Sequence, residues 1–143
     1  MSRTELVASF AAVPGRLATV LARDDGPRGG RPSDGWSSRE EVLHLLVVES
    51  VVWQRRLDDL ETMDDPHWST TEPGLGPKPD PRPIDDLLSA FAAARTATVA
   101  RVSSLDETGW ARSGTHARYG LLDVAGLLRL ALDHDEEHLA ALE

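Results

Sequence analysis

Residues 36–60 read WSSREEVLHLLVVESVVWQRRLDDL, and they contain the clearest helix signals in the chain. Ser37 can cap the start of a helix, and Glu40 stands three residues later, which is the sequence pattern of a capping box. Apolar side chains then recur at helical spacing: Leu43, Val47, Val48, Val51 and Val52. The pattern predicts a helix that begins just after Ser37 and ends near Leu60.

Three further segments carry the same kind of pattern. They are residues 4–22, residues 84–104 and the segment from Asp123, a plausible N-cap, to the end of the chain. Pro14 and Gly15 interrupt the first segment, so we expect a kink or a local break there. Ala and Leu are abundant, and the alternation typical of strands is scarce. The predicted fold class is therefore all-α.

The segments between these helices differ in length and composition. Residues 24–35 are rich in Gly, Pro and Asp, which predicts a loop. Residues 62–83 contain six prolines, and residues 105–122 contain three glycines. A long connection between the second and third helices suits a helical bundle that needs a crossover. With 143 residues, we expect a single domain that spans residues 1–143.

Composition excludes several classes of protein. The net charge of −9 would repel a phosphate backbone, so we expect no nucleic-acid partner. The chain has no cysteine, which excludes disulfides, thiolate nucleophiles and cysteine-based zinc sites. The first residues, MSRTELVASF, lack the apolar core of a secretory signal, and no uninterrupted apolar run approaches about 18 residues. We therefore expect a cytoplasmic protein without a membrane partner.

Three histidines form the most informative pattern. His134 and His138 lie four residues apart on the last helix, so both rings leave the same face, which also carries Leu127 and Ala131. Such a pair can bind one metal ion, but it also occurs as ordinary helix-end histidines. His44 lies near the start of the second helix among apolar residues. If the two helices bring these ends together, three imidazoles converge and leave one coordination position open, as in catalytic metal sites.

Carboxylates next to these histidines are candidates for orienting the rings. Glu40 lies one turn before His44, although a role as capping-box partner is the simpler interpretation. Asp135 and Glu137 flank the histidine pair, and for both we favour a solvated position on the helix surface.

Other residues are candidates for the pocket. Arg95 falls on the apolar stripe of the third helix, and Glu49 is its natural partner. A structural ion pair is the favoured interpretation, and binding of an anionic substrate group is the alternative. His116, in a predicted loop, could approach the metal or simply be exposed. Trp36 and Trp110 are most simply core and loop anchors, next to loops that are candidates for lining the pocket.

These motifs resemble those of the DinB/YfiT-like superfamily along nearly the whole chain. Residues 36–45 resemble its second-helix signature, residues 114–120 the loop before its last helix, and residues 134–139 the end of that helix. Phe91 followed by Arg95 matches a pattern of the third helix. The chain departs from the family at Ala140, where a glutamine is usual, and at the Pro14–Gly15 interruption.

The resemblance implies a four-helix bundle, usually a homodimer, with a nickel or zinc ion bound by His44, His134 and His138. It also implies either a transferase or isomerase that uses a low-molecular-weight thiol, or a metal-dependent hydrolase, acting on a small molecule. The alternative is a non-catalytic bundle, such as a small-molecule binding or stress-response protein, in which the histidines are structural.

Overall fold

The computed structural model describes residues 1–23, 36–69 and 80–143. Four long helical rods dominate it. The second rod consists of two α-helices joined by a π-helical segment, Glu49–Gln54. The α-helices are α1 (Arg3–Leu21), α2 (Ser38–Val48), α3 (Arg55–Thr62), α4 (Ile84–Ser103), α5 (Glu107–Ala111) and α6 (Val124–Leu142). The predicted loop at residues 24–35 and residues 70–79 of the predicted crossover lie outside the described residues.

Local chemistry fixes where the helices begin. Ser37 accepts a hydrogen bond from the backbone of Glu40, and Glu40 accepts one from the backbone of Ser37, so the predicted capping box is present. Asp123 caps α6 by accepting from the backbone of Gly126, as predicted. The two caps fix the starting points of the two helices that carry the three histidines.

Pro14 lies inside α1, and the local break predicted there is wrong, because the helix is continuous from Arg3 to Leu21. A proline has no N–H, so the carbonyl of Phe10, four residues earlier, loses its helical donor. In this structure the guanidinium of Arg95 donates to that carbonyl instead, with an N···O distance of 2.8 Å. A side chain from α4 therefore satisfies the oxygen that the proline leaves open.

The π-helical segment was not predicted from the sequence. It contains Glu49 and Trp53, both buried, whereas Ser50 and Val51 in the same segment are exposed. Single π-helical turns inside α-helices occur frequently at functional sites, because the extra residue changes the direction of the side chains that follow.

The helical rods bury a common core. α1 packs mainly against α4 and α6, and α2 packs against α4 and also contacts α6. The buried stripe of α1 consists of Leu6, Phe10, Val13, Leu17 and Val20. By length and composition, α1 is the one helix of the described ranges that could cross a membrane, and the same description fits a helix whose apolar stripe lies in a core.

Residues 105–122, predicted as a loop, form α5 and most of a small sheet. Strand β1 (His67–Trp68) pairs in parallel with β2 (Ser113–His116), and β2 pairs antiparallel with β3 (Gly120–Asp123). Gly114 is required for this arrangement, because a Cβ atom there would lie 2.7 Å from the ring of Trp68 and 2.8 Å from the carbonyl oxygen of Pro66. The sheet covers one end of the bundle core through Trp68, which packs among the buried apolar residues.

Candidate metal centre

The three histidines of the sequence prediction lie together between α2 and α6. The Nε2 atom of His134 is 3.2 Å from Nε2 of His44 and 3.2 Å from Nε2 of His138. One donor atom from each ring can be chosen so that all three lie within 4.8 Å of one another. His44 is buried, with 7% of its surface exposed, and the other two rings are half-buried.

These distances fit a shared divalent ion. In tetrahedral zinc sites the Zn–N distance is about 2.0–2.1 Å, which separates two nitrogen ligands by roughly 3.3 Å. The separations of 3.2 Å from His134 Nε2 to the Nε2 atoms of His44 and His138 are close to this value. His134 Nε2 carries either one proton or one lone pair, so it cannot make a well-directed hydrogen bond to both neighbouring ring nitrogens at once. The histidine triad can therefore hold a metal ion.

The protonation of His134 also fits this role. Burial, followed by the neighbouring His138, His44 and Arg95 charges, lowers the pKa of the His134 imidazole to about 3. A neutral ring has a lone pair available for a metal. Its Nδ1 atom is buried and has no hydrogen-bond partner among the residues that the structure describes. If that atom carries the proton, Nε2 presents its lone pair toward the other two histidines.

A carboxylate that the sequence analysis overlooked contacts the third ring. Oε2 of Glu41 lies 2.5 Å from Nδ1 of His138, and the Glu41 side chain is only 5% exposed. Carboxylates in this position commonly orient metal-binding histidines. Glu40, the predicted candidate, is occupied by the capping box at the start of α2 instead.

Two tryptophans border the histidines. The ring of Trp36 is parallel to that of His138, with 5.9 Å between centroids and an angle of 6°, and it lies 4.7 Å from the ring of His44. Trp53, from the π-helical segment, meets His134 edge to face at 5.9 Å. Trp36 therefore contacts two of the three histidines, whereas Trp110 packs in the core, as predicted, and lies beneath the guanidinium of Arg3.

A buried ionic cluster lies behind the histidines. Arg95 makes two hydrogen bonds to the carboxylate of Glu49, at 3.0 and 2.8 Å, which confirms the predicted pair. Asp135 joins the cluster with an oxygen 3.0 Å from the Arg95 guanidinium. The prediction that Asp135 is solvated is wrong, since the residue is 1% exposed. Burial raises the pKa of the Asp135 carboxyl to about 6, although Arg95 acts in the opposite direction.

The remaining predicted residues lie elsewhere. Glu137 is exposed, as predicted. His116 is buried rather than exposed, and its Nδ1 accepts hydrogen bonds from the backbone of Arg118 and Tyr119. It stabilises the turn between β2 and β3 and does not belong to the group of metal-donor atoms.

Comparisons with known proteins place this arrangement in a family. The family model of the DinB superfamily matches residues 2–142. The chain belongs to the DinB superfamily. Among solved structures, YfiT from Bacillus subtilis, described as a probable metal-dependent hydrolase with an unusual four-helix bundle topology, superposes with a TM-score of 0.75. The alignment covers 99% of this chain and 86% of that chain at 16% identity, which shows a common fold. A search of curated proteins found no match.

In this member of the DinB superfamily, the sequence contains a signal for Glu41. Residues three apart share a helix face, so Glu41 and His44 point to the same side of α2. Glu40, four residues before His44, has a similar spacing, but its carboxylate accepts a hydrogen bond from the backbone of Ser37 in the capping box. Spacing alone therefore left two candidates, and the capping box decides between them.

Proposed function

We propose that this DinB-superfamily protein is a metal-dependent enzyme that acts on a small molecule, with a divalent ion bound by His44, His134 and His138. The observation that supports this best is the pair of 3.2 Å Nε2 separations around His134, in a half-buried site. Zinc and nickel are the favoured ions because the family resemblance implies them; imidazole nitrogen suits copper and iron as well. The description of YfiT as a probable metal-dependent hydrolase is consistent with the proposal.

The residues around the site have separable tasks. An ion on three imidazoles supplies a Lewis acid with an open position, where a water or thiol becomes more acidic or a carbonyl is polarised. Burial keeps His134 neutral and therefore able to bind. Trp36 and Trp53 flank the rings with apolar surface and limit the access of water. The chain has no cysteine, so a thiol-dependent reaction needs an external low-molecular-weight thiol.

Metal binding can be tested with a matched histidine variant. We expect added Zn²⁺ or Ni²⁺ to raise the melting temperature of the wild type. At a metal concentration 100 times the dissociation constant, the free energy of unfolding should rise by about 2.7 kcal/mol. His134→Ala should lose this response. His67→Ala is the control, because His67 is exposed and outside the triad. Equal responses of all three proteins, or no metal uptake by the wild type, would overturn the proposal.

The reaction class requires a second assay. A hydrolase should cleave small esters or amides without a thiol, whereas a transferase or isomerase should act only when a small thiol is added. Either activity should disappear on chelation and return with the metal. If a metal-loaded protein shows neither activity while still binding small molecules, the non-catalytic alternative replaces the enzyme proposal.

The proposal also includes a cytoplasmic homodimer whose partners are the small substrate and the thiol, without a nucleic-acid or membrane partner. Light scattering coupled to size exclusion measures the oligomeric state directly. A monomer at all concentrations would contradict the dimer and leave the metal site unaffected, because all three histidines come from one chain.

A further inference from the structure

Glu41 is an unusual residue for its position. It lies in the first turn of α2, where carboxylates are normally solvated, yet only 4% of its surface is exposed. A buried carboxylate is costly unless it is paired or accepts hydrogen bonds. The positive end of the helix dipole favours its charge, and the ring of His138 provides a donor at 2.5 Å.

This contact determines which nitrogen of His138 is free. An ionised carboxylate can only accept hydrogen bonds, so the hydrogen bond between His138 Nδ1 and Glu41 requires the proton to be on Nδ1. A neutral ring protonated at Nδ1 has its lone pair at Nε2, and Nε2 is the atom that lies 3.2 Å from Nε2 of His134. The Glu41 contact therefore selects the tautomer that can share a ligand with the other rings.

The rings of α6 are supported unequally. His138 has Glu41 at one edge and the parallel ring of Trp36 beside it. Within the described part of the chain, His134 has no hydrogen-bond partner at Nδ1. The contact between His138 and Glu41 also joins α6 to the start of α2. Glu41 lies one turn before His44, so the contact is next to the third histidine of the site.

We propose that Glu41 is a positioning residue that holds His138 in the tautomer protonated at Nδ1 and directs its Nε2 toward the shared ligand. The role rests on the proposed metal function, but the tautomer itself exists in the metal-free protein. Loss of a partner of this kind typically lowers metal affinity by 10–100-fold.

The first test needs no metal. Long-range ¹H–¹⁵N spectra of the metal-free protein distinguish the two neutral tautomers and the doubly protonated ring. We expect His138 to be protonated at Nδ1 alone in the wild type and in Glu40→Gln, the matched control, since glutamine also supports a capping box. In Glu41→Gln the signal should shift toward a mixture. An unchanged tautomer in Glu41→Gln, or a doubly protonated ring in the wild type, would overturn the inference.

The second test measures zinc affinity by competition with a chelator. Glu41→Gln should bind Zn²⁺ 10–100-fold more weakly, and Glu40→Gln should match the wild type. If Glu41→Gln does not fold, Glu41→Asp replaces it, because its shorter side chain moves the carboxylate away from Nδ1. Equal affinities for the Glu41 variants and the wild type would refute the role of Glu41 and leave the metal function standing. Absence of both zinc and nickel binding by the wild type refutes the metal function, whatever the tautomer.

Discussion

Replacement of Arg95 tests the central packing argument. The Arg95 guanidinium is 1% exposed and contacts Glu49 twice, Asp135 and the carbonyl of Phe10. It also lies 3.7 Å above the ring of Phe10. Arg95→Met keeps most of the apolar volume but leaves two buried carboxylates without a cation. Breaking a buried pair in this way costs about 3–5 kcal/mol of unfolding free energy.

The matched control is Arg101→Met on the same helix. Arg101 also contacts two carboxylates, those of Asp58 and Glu61, but these are about half exposed. Exposed pairs of this kind contribute about 0–1 kcal/mol. The melting temperature of a domain this size changes by about 3 °C per kcal/mol, so we expect a decrease of about 10–15 °C for Arg95→Met and at most about 3 °C for Arg101→Met.

The assay is thermal and urea unfolding of the metal-free proteins, monitored by far-UV circular dichroism, so that metal affinity does not contribute. If Arg95→Met is not folded, Arg95→Lys gives the measurement. Lysine retains the charge but cannot make both hydrogen bonds to Glu49. The stability of Arg95→Lys should therefore lie between that of the wild type and that of Arg95→Met. A loss for Arg95→Met within about 1 kcal/mol of that for Arg101→Met would refute the argument.

Two further changes give predictions of known sign. Gly114→Ala should lose about 1–3 kcal/mol of unfolding free energy in urea, because the added methyl group would collide with Trp68 and the backbone of Pro66. Gly15→Ala, on a helix with open space around the glycine, should instead gain about 0.5–1 kcal/mol. Equal effects of the two substitutions would contradict the close approach at Gly114. Asp135→Asn tests the pKa of the Asp135 carboxyl, which burial raises from its ordinary value of 3.8 to about 6. The folded state holds the Asp135 proton more tightly than the unfolded state. The free energy of unfolding of the wild type, relative to that of Asp135→Asn, should therefore fall as the pH rises from about 4 to about 6. A difference that does not change with pH would refute the shift.

Much of the fold was predictable because it depends on local signals. Ser37, Glu40 and Asp123 act on backbone groups within three residues, so their roles can be read from the sequence. The apolar stripes identified the long helices for the same reason. The π-helical segment and the small sheet were not predicted, because an extra residue in a helical turn and strands of two to four residues depend on contacts with distant parts of the chain.

The candidate site shows the same division. The i, i+4 spacing placed His134 and His138 on one face, but their meeting with His44 depended on how two helices are arranged. Asp135 was misjudged because its neighbours in sequence are polar, while its partner Arg95 is 40 residues away. The Arg95–Glu49 pair was predictable because Arg95 falls on an apolar stripe and needs a buried carboxylate, but nothing in the sequence pattern indicates that Asp135 joins them.

Pro14 illustrates how a residue that is unfavourable by helix propensity can be useful in its context. An engineer who improves helices one residue at a time would replace Pro14 first, expecting to recover about 3 kcal/mol. Here the restored amide would compete with Arg95 for the oxygen of Phe10. Rules that score each helix in isolation would therefore overstate the gain, because the missing amide of one helix is the docking point for a side chain of another.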